Sequence, residues 1–113
     1  MEKEELEKLT ITYQKLHGQL QSLALQKEQF RMQKEELAEA LAEVERSKGK
    51  VYVAKGGILA ESAKDEAVKS IKEKQDSAEL RLGIVTKQYD ELAKKEKELR
   101  TKISEALKLP ENG

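Results

Sequence analysis

Cysteine and tryptophan are absent from this 113-residue sequence, proline and phenylalanine each occur once, and three tyrosines complete the aromatics. Without cysteine the fold owes nothing to disulfides or thiolate metal ligands, which fits a reducing compartment. So few large side chains leave little bulk for the closed interior of a compact globule. No apolar run approaches the roughly 18 residues of a membrane span. The start, Met1-Glu2-Lys3-Glu4-Glu5, is too acidic and polar for a secretory signal peptide. These absences predict a soluble, intracellular protein. Surplus charge is missing as well, since 22 Lys and Arg balance 22 Asp and Glu. Nucleic acid and anionic membranes select clustered excess cations, so neither is an expected partner.

What is present is helix-forming. Charged residues make up 39% of the chain, and Ala, Glu, Lys, Leu and Arg fill 67 of its 113 positions, the composition of long helices and coiled coils. Apolar residues recur at Leu6, Leu9, Tyr13, Leu16, Leu20, Leu23, Phe30, Leu37, Leu41 and Val44. They alternate in steps of three and four, with Lys27 and Lys34 at skipped positions, which is the heptad stripe of a coiled-coil helix. A second stripe runs through Val68, Ile71, Ala78, Leu82, Val85, Tyr89, Leu92, Leu99, Ile103 and Ala106, with Gln75 and Glu96 skipped. Both stripes span 39 residues, so a chain folded back at its middle pairs them completely, over roughly 57 Å of rod. The expectation is one domain over residues 1–113, an antiparallel coiled coil of helices at 1–46 and 63–109 with a tail at 110–113. Gly18 and Gly83 fall off the stripes, on tolerated surface positions. His17 sits at a flanking position without a second ligand at metal spacing, and reads as solvated.

Between the helices, Val51-Tyr52-Val53-Ala54-Lys55, Gly56-Gly57 and Ile58-Leu59-Ala60-Glu61 read as a single β-hairpin over residues 50–62, because primed two-residue turns need the positive φ that glycine adopts freely. Lys55 then faces Ile58, Ala54 faces Leu59, Val53 faces Ala60 and Tyr52 faces Glu61. One face carries Val51, Val53, Ile58 and Ala60, the other Tyr52, Ala54 and Leu59. A lone two-stranded hairpin with apolar groups on both faces is not stable in water and recruits further strands. The hairpin residues Val51 to Ala54 and Gly56 to Ala60 are therefore expected to build an oligomeric β-barrel platform with copies or relatives of themselves. Ser62, with Asp65 three residues on, reads as the cap of the second helix.

In the fold-back pairing both termini meet at the end remote from the hairpin. Leu6, Leu9, Ile11, Tyr13, Ile103, Leu107 and Leu109 are expected to gather there, where loose apolar side chains at frayed helix ends grip exposed hydrophobic segments of a client without sequence specificity; simple packing of the two helix ends is the alternative. Leu25, Met32, Leu80 and Ile84 are the remaining apolar residues that the heptads leave unexplained, and read as scattered surface positions or neighbour contacts. No nucleophile, base and orienter can be assembled, and Gly56-Gly57 lies in no phosphate-loop motif, so neither an enzyme nor a cofactor is expected.

Three stretches, Leu20-Gln21-Ser22-Leu23-Ala24-Leu25-Gln26-Lys27, Gly49-Lys50-Val51-Tyr52-Val53-Ala54-Lys55-Gly56-Gly57-Ile58-Leu59, and Lys64-Asp65-Glu66-Ala67-Val68 running on to Glu79-Leu80-Arg81-Leu82, resemble the archaeal-type β class of prefoldin. The α class has two hairpins, and this sequence has room for one. Gly83 and the polar Gln75-Asp76-Ser77 make the second helix less regular than the family pattern. The resemblance implies a hexamer of two α-class and four β-class subunits with coiled coils hanging from a double β-barrel. It also implies an ATP-independent chaperone that captures unfolded proteins at the tips and passes them to a group II chaperonin. Without the resemblance, a coiled-coil scaffold or tether that binds one folded partner through its ends fits the same heptads.

Overall fold

A computed structural model describes residues 1–107 of the chain, so Leu109, Pro110 and Gly113 lie outside the described residues. In order come α1 (Lys3–Arg46), β1 (Val51–Lys55), β2 (Ile58–Ser62) and α2 (Lys64–Leu107). Each helix is an unbroken 44 residues. Gly83 and Gln75-Asp76-Ser77 do not interrupt α2, because the stripe resumes at Ala78, Leu82 and Val85 and packing there overrides a local propensity loss of about 1 kcal/mol. Two compact units divide the chain, residues 1–27 with the chain from Ile84 onward, and residues 28–83.

In the unit that holds the chain ends, Leu16, Leu20 and Val85 are buried, and Leu6, Leu9, Tyr13 and Leu23 of α1 and Tyr89, Leu92, Leu99, Ile103 and Ala106 of α2 are half-buried. The helices run antiparallel there. His17 meets Glu96, and Lys27, ten residues further along α1, lies over the ring of Tyr89, seven residues back along α2. In the hairpin unit Val51, Ala67 and Ala78 are buried, with Phe30, Leu37, Leu41, Val44, Val68, Ile71 and Leu82 half-buried. Lys34 reaches Glu79, and the end of α1 meets the start of α2, again in antiparallel order. The skipped heptad positions Lys27, Lys34, Gln75 and Glu96 are all partly covered, so each lies on the stripe despite its polarity.

Among the described residues no side chain is fully enclosed and none that is polar is buried. Two helices joined along one stripe leave the flank of every core residue open, so apolar burial is spread thinly along the pair.

β1 and β2 pair antiparallel in the register that the Gly-Gly turn dictates, Lys55 with Ile58 through Val51 with Ser62. Gly56 and Gly57 have φ of 52° and 88°, the two consecutive left-handed residues of a type I′ turn. The cap of α2 differs from expectation by one residue. The Ala63 carbonyl accepts from the Ala67 amide at 3.0 Å, so Ala63 opens the helix, while the Ser62 hydroxyl donates to that same carbonyl and Ser62 closes β2. Ser62, the last residue of the expected hairpin, is paired with Val51 in the ladder, and this takes it from the cap position.

Leu20→Ala, at a 7% exposed stripe position, is expected to lower unfolding free energy by about 2 to 3 kcal/mol, and Leu25→Ala, 61% exposed, by less than about 0.5 kcal/mol; urea unfolding followed by circular dichroism measures both. The glycines separate in the same assay. Nothing lies within 4 Å of a Cβ built on Gly83, so Gly83→Ala is expected to add about 0.5 to 1 kcal/mol. Gly57→Ala is expected to subtract about 1 to 2 kcal/mol, because alanine is strained at its φ.

Candidate assembly and client-binding surfaces

The period-two alternation of the hairpin sorts its side chains, and the sorting is uneven. On one face Val51 is buried and Val53, Ala60 and Ser62 are half-covered, while Lys55 and Ile58 beside the turn stand free. On the other face Tyr52, Ala54, Leu59 and Glu61 are all exposed. Ile58 at 70% and Leu59 at 73% are the most exposed large apolar side chains among the described residues. The two faces that looked alike in sequence are thus distinct, one packed near its base and one bare.

Among the described residues the sheet has two strands, so each strand has an unpaired edge. In an antiparallel ladder alternate pairs exchange hydrogen bonds, and Lys55 with Ile58, Val53 with Ala60 and Val51 with Ser62 do so here, counting outward from the two-residue turn. The amide and carbonyl groups of Tyr52, Ala54, Leu59 and Glu61 therefore point outward. Side chains and backbone groups of the same four residues are left without partners in the sheet. This is a template for strand addition, with main-chain groups for affinity and Tyr52 and Leu59 for fit.

The expected client-holding residues behave in two ways. Leu6, Leu9, Tyr13 and Ile103 belong to the stripe and are half-buried, whereas Ile11 and Leu107 are exposed. Met1, which the sequence reading did not single out, is exposed in the same unit. Leu25, Met32, Leu80 and Ile84 are all exposed.

The polar ties between the helices were illegible in the heptads. His17 is solvated, its side chain 52% exposed, but it is not isolated. Its Nδ1 lies 3.2 Å from the Glu96 carboxylate, its ring stacks on Tyr13 with centroids 6.0 Å apart, and Gln21 approaches its Nε2 at 3.5 Å. Glu96 is a carboxylate on the apolar stripe, and the imidazole compensates part of its desolvation. The Lys27 ammonium, 4.8 Å from the Tyr89 ring centroid, gains a cation–π contact while its methylene stem lies along the stripe. On the surface of α1, Arg31 bridges Glu28 and Glu35, and its hydrogen bond to Glu28 holds that carboxyl below the usual range. None of these groups forms a catalytic constellation, and among the described residues no cluster of His, Cys, Asp or Glu is arranged to hold a metal ion.

The sequence profile of the family described as Prefoldin subunit matches residues 7–109. The chain belongs to the prefoldin family. Prefoldin subunit beta of Pyrococcus horikoshii is 34% identical over 104 residues, covering 90% of this chain and 86% of that one, and its counterpart in Thermococcus kodakarensis is 35% identical over 97 residues, covering 84% and 83%. The crystal structure of the prefoldin beta subunit from Thermococcus strain KS-1 superposes with a TM-score of 0.84 at 30% identity, over 94% of this chain and 95% of that one. Helix, single hairpin and helix are the prefoldin β-class arrangement, and the chain is a chaperone subunit of that class. Prefoldins are chaperones that assemble from several subunits, and are not known as enzymes. No helix among the described residues is long and apolar enough to cross a membrane.

Leu59→Asp places a charge on the bare prefoldin hairpin face beside an outward-pointing amide. Light scattering of the native and substituted chains, each mixed with an α-class subunit, is expected to show a large species for the first and small species for the second. An unchanged mass would remove the hairpin from the assembly interface.

Proposed function

We propose that residues 1–113 act as a single prefoldin-like domain, one of four β-class subunits that join two α-class subunits in a hexamer. Hairpin residues Val51, Tyr52, Val53, Ala54, Gly56, Gly57, Ile58, Leu59 and Ala60 form its barrel platform. The observation that carries this reading is the bare face of Tyr52 and Leu59 above unpaired strand edges. A face of that kind, left in water, recruits strands indiscriminately, and closure into a barrel removes the edges.

The client-holding surface in this proposal is the end formed by Leu6, Leu9, Ile11, Tyr13, Ile103, Leu107 and Leu109. Exposure of Ile11 and Leu107 supports it, and the half-buried stripe members supply apolar area when the ends fray. Each such side chain gains only about 1 to 2 kcal/mol on burial. Weak contacts of this size release a client readily from one arm, and several arms on one platform hold it by raised effective concentration. Such holding needs no nucleotide and no bond chemistry, so the subunit works without ATP, cofactor or catalysis. It acts in the cytoplasm and hands its unfolded clients to a group II chaperonin.

With an α-class partner, the chain is expected to suppress aggregation of several unrelated denatured proteins. Deleting residues 1–10 and 107–113 is expected to weaken suppression several-fold with the mass of the assembly unchanged. A tether for one folded partner would suppress none of them, and that result would replace the chaperone reading of these ends.

A further inference from the structure

The end of α1 lacks the usual means of satisfying its last carbonyl groups. A helix terminus leaves several carbonyls without intrahelical donors, and the common solution is a left-handed glycine just beyond it. Gly49 is the only glycine near Arg46, and its φ is not positive; among the described residues only Gly56 and Gly57 are glycines in that conformation. The Ser47 amide donates to the Val44 carbonyl at 3.2 Å and satisfies one group. A further donor comes from elsewhere in the chain. The Lys64 ammonium donates to the Glu45 carbonyl at 2.8 Å and to the Ser47 carbonyl at 3.1 Å.

Lys64 is an unusual residue to find there. It is the first residue of α2, where the positive end of the helix dipole disfavours a cation, and Asp65 and Glu66 follow to offset it. The same charge is favourable at the negative end of α1. Its position at the start of one helix makes sense as a cap for the end of the other. The two helix ends that it joins are the two ends from which the hairpin springs.

From this geometry we infer that Lys64 is a positioning residue for assembly: by bridging the last turn of α1 to the first residue of α2, it sets the base from which the hairpin presents its bare face. The inference rests on the hairpin being the assembly element. Both hydrogen bonds are exposed to solvent, so water satisfies the two carbonyls when Lys64 is replaced and neither helix unravels. What is lost with Lys64 is the fixed relation of the two helix ends. A hairpin that samples several orientations meets its neighbours with a lower competent population, and apparent affinity falls in proportion.

The test uses the full chain mixed with an α-class subunit, diluted while the mass is followed by light scattering. Lys64→Met keeps the length of the stem and removes the donors; its assembly midpoint is expected to move to about five- to tenfold higher concentration, with the thermal midpoint of the helices within about 3 °C of the native value. Lys64→Arg keeps the charge and can reach both carbonyls, and is expected to recover most of the difference. Assembly of Lys64→Met at the native concentration, while Leu59→Asp fails to assemble, overturns the inference. So does a parallel fall in thermal midpoint, which marks a general stabilising role. Native-like assembly of Leu59→Asp instead overturns the hairpin reading on which the inference rests.

Discussion

Two helices that pair along one stripe can each cover only one side of the other, and that limit governs the rest of the molecule. Among the described residues no third layer covers the pair, so even Leu16, Leu20 and Val85 retain some exposure and no side chain is sealed off. Burial must then come from length, which is why heptads occupy 39 residues on each half of the chain. The same limit explains how polar groups survive on the stripe. A lysine or glutamate in a closed core would need full compensation, but at an open flank Lys27 rests on Tyr89, Lys34 reaches Glu79 and Glu96 meets His17 while water reaches the rest. These ties fix which residues lie opposite, a role that polar positions on a coiled-coil stripe serve at some cost in stability.

The hairpin inherits its incompleteness from this arrangement. Helices that spend their apolar stripes on each other have little left to cover a sheet, so cover reaches Val51 and falls away through Val53 toward the turn. What remains exposed is both chemically and geometrically specific. Tyr52 and Leu59 share a face, and the backbone groups on the free edges belong to the same pairs of residues. The prefoldin family assembles from several subunits, and this is the surface proposed above as the subunit's contribution to such an assembly. Balanced charge suits the other proposed surface, since an arm that holds diverse clients by apolar contact gains nothing from a field of one sign that would repel some of them.

Most of the architecture was legible because it rests on periodicity. Heptads of equal length gave both helices, and Gly56-Gly57 between β-branched runs gave the hairpin with its register residue for residue. What was hidden depends on which side of an element faces what. Alternation divided the hairpin into two faces without saying which one the rest of the unit covers. The Ser62 cap was misplaced by one residue because a strand pairing and a helix cap compete for the same hydroxyl-bearing residue, and the sequence signals for both were present. His17, Lys27 and Lys64 were unreadable for a simpler reason: their partners lie 79, 62 and 17 to 19 residues away, and no local spacing rule reaches them. Of the proposed client-holding residues, the stripe accounted for the half-buried ones, and only Ile11 and Leu107 stand clear of it within the described residues.

In the proposed assembly the free edges of the hairpin are where neighbouring subunits add their strands. Amide hydrogen exchange resolved to single residues tests it most directly, comparing the chain alone with the chain mixed with an α-class subunit. The amides of Tyr52, Ala54, Leu59 and Glu61 point away from the partner strand and are predicted to exchange rapidly in the free chain and to slow at least a hundredfold on assembly, about the protection that a closed strand pairing confers. Unchanged exchange at these four amides in an assembled complex would contradict the account.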